Sequence, residues 1–127
     1  MRNGQYTERT ARMTADDHLA LHALTEEERL VRSFRYAEAI RNDPCLLLRA
    51  SELIASAVEN DEATVGQELW SRILRESAEF VIRCMTADDP EGRLLRSNNP
   101  FSLLVGQTST ADRRLTRLEA AKRLISR

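Results

Sequence analysis

Apolar side chains return every three or four positions through most of this chain. Leu30, Phe34, Ala37 and Ile40 fall on one helical face, and Leu47, Ala50, Ile54, Ala57 and Val58 on another. Val65, Leu69, Ile73, Phe80 and Cys84 make a third stripe, with Trp70, Leu74, Ser77 and Val81 beside it. That period belongs to amphipathic helices that must bury one side against each other. No run alternates apolar and polar residues long enough for a strand. Only 4 Gly and 3 Pro in 127 residues leave too few turns for a sheet sandwich. The expected fold is all-α: an antiparallel helical bundle of four to five helices, with a non-helical hook before a basic C-terminal helix. Residues 1–13 are polar and aperiodic and read as a flexible N-terminal arm. Residues 14–127 read as one helical domain, long enough for a modest core.

Local signals divide the bundle. "TADDHLALHAL" (14–24) carries a possible cap and early acids, and predicts a short leading helix. Thr25 and Glu28 have capping-box spacing and predict a second start, with a helix over about 26–41. Asp43 and Pro44 end that helix and open the next, over about 44–59. The longest helix is expected over about 64–85, followed by a turn in "TADDPEG" and a short helix or turn in "RLLRS". Thr110 is the expected cap of the last helix. Its inward side is expected to be Leu115, Leu118, Ala121 and Ile125, with Arg113, Arg114, Arg117 and Arg123 facing away.

Charge is unevenly spread. Residues 1–92 hold 11 basic and 18 acidic side chains; residues 93–127 hold 8 basic and 2 acidic. The whole chain nevertheless sums to −1. Either the basic end presents itself to an acidic partner, or the two parts neutralise each other within the fold. Against that basic end sits "NNPFSLLVGQTST" (98–110), which has no charged residue although charged residues make up 31% of the chain. Its apolar residues predict burial of Phe101 and Leu103 on the bundle.

Conventional catalytic chemistry is not legible. There is no phosphate-binding loop, dinucleotide-binding glycine pattern or nucleophile elbow. His18 and His22 share a helical face four residues apart, but Leu19 stands where a zinc-protease helix needs Glu, and the chain has no other His. They read as solvated surface histidines, and the acidic runs "DDHLALHALTEEE" and "ENDE" as capping and solvated faces. No catalytic residue, metal or cofactor is expected. Cys45 and Cys84 are expected to be reduced core residues. The longest apolar run is "CLLL", so no membrane span is expected, and the absence of a leader-like segment in the N-terminal residues makes a cytoplasmic location the expectation.

The C-terminal residues "NNPFSLLVGQTSTADRRLTRLEAAKRL" resemble the end of BID domains, helical signal domains of conjugative relaxases and of effectors exported by bacterial type IV secretion systems. Pro100, Leu103, Leu104 and Gly106 resemble the family's Pro-x-x-(Gly/Leu)-x-Leu-x-Gly segment, with compressed spacing, and Asp112, Arg113 and Arg114 follow as its basic helix start. Asp43 and Pro44 resemble its Asp-Pro helix start. The resemblance covers at most residues 36–127. It implies a hook packed on a bundle, a positively charged end, recognition by a secretion coupling ATPase without catalysis, and export by that dedicated system.

The functional expectation is thus a non-enzymatic protein-interaction module, with Arg93, Arg96, Phe101, Arg113, Arg114, Arg117 and Arg123 as partner-binding residues. Two alternatives stay open. One is a small helical DNA-associated regulator, disfavoured by the near-neutral charge. The other is an antitoxin or inhibitor that caps one enzyme.

Overall fold

The computed structural model describes residues 14–105 and 109–127, and every regular element among them is helical. The proposed arm, 1–13, and Gly106 lie outside the described residues. In chain order the helices are α1 (Ala15–Asn42), α2 (Cys45–Glu59), α3 (Val65–Ile73), α4 (Ala78–Thr86), α5 (Pro90–Ser97), the single turn α6 (Phe101–Leu104) and α7 (Thr110–Ser126).

The leading helix and the next are one. The Thr25 hydroxyl donates to the Leu21 carbonyl at 2.9 Å rather than capping a new start. Neither Gly nor Pro interrupts the segment, so nothing stops the helix from running through. The capping box forms at Thr14 instead, reciprocally with Asp17. Its backbone hydrogen bond holds the Asp17 carboxyl below the usual carboxylate range.

The helix expected over 64–85 is broken. Its chain leaves helical geometry after Ile73, and Ser77 caps α4 by accepting from the Phe80 N–H at 3.2 Å. The break re-aims the second half, so that Trp70, Ile73 and Leu74 before it and Val81, Ile82 and Met85 after it all enter one core. Val65 and Phe80, expected in the stripe, are exposed. The start of α2 follows the sequence signal, with the Cys45 N–H donating to Asp43 Oδ1 at 3.2 Å. Cys45 itself is exposed at that helix start, contrary to expectation. Cys84 is half-buried and free, and burial pushes its thiol up, away from the thiolate form.

The core gathers around Trp70, which is wholly buried. Phe101 meets it edge-on at 5.6 Å between ring centroids and 71° between planes. Such a pair adds about 0.5–1.5 kcal/mol beyond area burial. The Trp70 indole N–H donates to the Leu95 carbonyl at 2.8 Å, so its polar end is satisfied. Ile40, Ala50, Ile54, Val81 and Met85 complete the interior. Gly92 is needed for close approach: a Cβ there would run into the Ala87 carbonyl. The hook therefore contains one helical turn, and Phe101 pins it to the core as expected. Leu103 points outward at 78% exposure, because a single turn can commit only one side to the core.

Candidate functional site: a rotated basic helix and a cavity beside it

Helix α7 starts one residue earlier than expected. Ser109, not Thr110, is its cap, in a reciprocal box with Asp112. Its principal neighbour is α1. The residues it buries there are Thr116 and Ala120. Small side chains let two helices approach closely, and the Thr116 hydroxyl is satisfied by the Asp112 carbonyl at 2.9 Å.

This contact rotates the helix relative to the sequence expectation. Leu115, Leu118 and Ile125, expected inward, are exposed, Ile125 at 85%. Arg117 and Arg123, expected outward, face α1. Arg117 pairs with Glu28 at 3.1 Å, and Glu28 also receives Arg32 at 3.3 Å. Arg123 pairs with Glu27 at 3.2 Å, while its guanidinium carbon lies 5.3 Å from the centre of the Phe34 ring. Arg127 bridges Glu27 and Asp88, the latter at 2.7 Å. Glu27 is only 6% exposed, so these cations cover it almost completely. Glu27 and Glu28 of α1 are thus the counter-surface of α7, while Asp16 and Asp17 stay exposed at the helix start, where Asp17 caps. Arg93 pairs with the same Asp88 at 3.5 Å.

The seven expected partner-binding residues therefore separate. Arg113 and Arg114 are exposed and have no ion-pair partner among the described residues. Arg93, Arg117 and Arg123 are engaged by carboxylates of the chain itself. Phe101 is wholly buried against Trp70 and cannot touch a partner. Arg96 is 5% exposed, with Nη1 donating to the Met85 and Ala87 carbonyls at 3.0 and 2.6 Å. It ties down the end of α4, so it too leaves the partner surface. Burial lowers its pKa, with Glu26 and Asp88 acting in the opposite direction.

A cavity of about 400 Å³ opens on another part of the surface. Arg29, Arg32 and Tyr36 of α1 form one wall, and Gln67, Asn98 and Asn99 contribute amides. Leu53, Ile54 and Leu103 supply apolar surface. Arg96 also lines it; sequence reasoning singled out that arginine, but not Arg29 or Arg32. The Asn98–Asn99–Pro100 junction was the available signal, since it sets two amides beside a turn.

His18 and His22 are exposed on α1, and among the described residues no three His, Cys, Asp or Glu side chains group to hold a metal ion. No described helix is long and apolar enough to cross a membrane. Neither protein-family models, curated proteins nor solved structures give a match to this chain.

Proposed function

We propose that the chain is a non-enzymatic, cytoplasmic protein-interaction module whose docking surface is the outer face of α7. One observation carries this reading: α7 spends small residues and arginines on α1 and leaves Leu115, Leu118 and Ile125 exposed on the same helix as Arg113 and Arg114, cations with no ion-pair partner among the described residues. An apolar stripe edged by cations is complementary to an amphipathic segment that carries leucine-like residues flanked by Asp or Glu. Apolar contact supplies affinity, while charge sets orientation and the rate of encounter. The occupant is thus an acidic amphipathic segment of a partner protein.

The more specific form of the proposal is recognition by the coupling ATPase of a bacterial type IV secretion system. It is supported by the resemblance of the C-terminal residues to BID domains.

The test is affinity capture from nuclease-treated lysate of the source cells with three baits. These are the wild type, Arg113→Glu/Arg114→Glu and Leu118→Ser/Ile125→Ser. All four positions are exposed, so both variants should melt like the wild type. A protein held by the wild type and lost from both variants, through a segment rich in Asp or Glu, is the expected result. Capture of the same proteins by all three baits would overturn the α7 surface. A coupling ATPase as the lost protein would support the specific form, and a different acidic partner would leave only the general one.

A further inference from the structure

The cavity beside Asn98 and Asn99 is independent of the α7 surface, for no residue of α7 lines it. Three arginines border it and none of its lining residues carries a carboxylate, in a chain with 20 Asp and Glu. Acids outside the lining hold two of these arginines. Glu26 holds Arg29 at 2.9 Å, and Glu28 is shared between Arg32 and Arg117. Among the described residues Arg96 forms no direct ion pair, although the charge of Glu26 acts on it, and its Nε–H is buried without an acceptor. One Glu26 oxygen, Oε2, is likewise buried without a donor. Burial raises the pKa of Tyr36, so this wall residue stays a neutral phenol that can donate.

We propose that this cavity binds the carboxylate of a small organic or peptidyl acid. Guanidinium groups match a carboxylate in shape and charge, and their bonds to it are charge-assisted. The partly exposed guanidinium groups of Arg29 and Arg32 are the donors it meets, and the buried Arg96 adds its charge to the wall. Because Arg29 is neutralised by Glu26 and Arg32 shares Glu28, the wall carries little net positive charge. That suits one negative charge and not a phosphate dianion. The amides of Gln67, Asn98 and Asn99 suit the polar atoms of a peptide-like body, and Leu53, Ile54 and Leu103 suit its apolar part.

Arginine Nε–H and asparagine side-chain resonances read this site directly by NMR. Three probes are titrated into the full chain: N-acetyl-leucine, which has a free terminal carboxylate; N-acetyl-glutamate amide, which has only the side-chain one; and inorganic phosphate. The expected result is a saturable shift of the Arg96 Nε–H and of the Asn98 and Asn99 amides with a carboxylate probe, and a weaker response to phosphate. A preference for N-acetyl-leucine identifies a terminal carboxylate or free acid as the ligand, and a preference for N-acetyl-glutamate amide identifies an acidic side chain. Arg32→Gln removes one charged donor and should weaken binding at least about tenfold. Leu103→Glu, at an exposed rim position, adds a competing negative charge and should weaken it without altering the rest of the spectrum. No saturable shift at millimolar probe, a response to phosphate as strong as to the carboxylates, or unchanged affinity in both variants would overturn the proposal.

Discussion

Around Trp70 the packing is apolar, and its polar atoms are matched inside: the indole N–H finds the Leu95 carbonyl. In the pairing of α1 and α7, α7 buries Thr116 and Ala120, and Arg117, Arg123 and Arg127 reach Glu28 and the buried Glu27 of α1. The first region is held by removal of apolar surface from water, which salt does not weaken. The second is held by ion pairs whose arginines remain partly in solvent, and such pairs are worth only about 0.2–1 kcal/mol each. A helix attached in this way leaves Leu115, Leu118 and Ile125 on the outside. Weak attachment and an exposed apolar stripe are therefore two aspects of one arrangement.

The sharpest way to separate the two regions is to cut into the first. Phe101→Ala should destabilise the protein by about 3–5 kcal/mol, the cost of emptying a buried aromatic site. Leu103→Ala, two residues on and exposed, should cost less than about 0.5 kcal/mol. Urea unfolding of both variants measures the pair. Similar losses in the two would mean that the hook is not pinned through Phe101 alone.

Glu27 tests the second region. Glu27→Gln keeps the volume but removes the charge that Arg123 and Arg127 share, and it should cost about 1–3 kcal/mol. The expected consequence is local. Amide hydrogen exchange should quicken in α7 while the α3 and α4 amides stay protected. Raising salt on the wild type should move the same amides in the same direction, because the partly exposed arginines are screened. Uniform loss of protection across all helices would show instead that α7 belongs to the cooperative core.

The two regions also differed in how much of them could be read in advance. Helices appeared where the period of three to four had placed apolar residues, and Asp43 and Pro44 marked the start of α2. The break at Ser77 was hidden because Trp70, Leu74, Ser77 and Val81 also fit one uninterrupted helical face. A cap is recognisable only once the chain is known to turn. Thr25 misled for the reverse reason, since a hydroxyl that could cap can equally bond back one turn. For α7 the periodicity of Leu115, Leu118 and Ile125 was real, but it described the solvent side. Amphipathicity reports that a helix has two faces, and which one is buried depends on what it meets. Here it met Glu27 and Glu28, and the charge imbalance between the two ends of the sequence was the only trace of that pairing. The cavity left less trace still, because Arg29 and Arg32 come from α1, Gln67 from α3, Arg96 from α5 and two amides from the Asn98–Asn99 junction, so no single stretch of sequence displays it.

The smallest expected effect lies where the two regions join. Asp88, in the turn between α4 and α5, accepts from Arg127 at the end of α7. That hydrogen bond, aided by the charges of Arg127, Arg93 and Arg96, holds its carboxyl below the usual carboxylate range against the opposing effect of burial. The sign follows from proton binding. With a depressed pKa in the folded state, the unfolded chain binds the proton first as pH falls. The contribution of Asp88 is therefore complete above the ordinary carboxylate pKa, and it is lost as pH drops below about 4 towards the folded value. Asp17, lowered by its capping hydrogen bond to Thr14, acts with the same sign at the far end of α1. Asp88→Asn should flatten the stability profile between about pH 4 and pH 2 and leave the Asp17 part in place. Both groups are exposed, so the change is small, and it is best read as the difference in urea midpoint between variant and wild type across that range. A profile as steep in Asp88→Asn as in the wild type would mean that the Arg127 bridge to the α4–α5 turn contributes nothing in solution. The attachment of α7 would then rest on Glu27 and Glu28 alone.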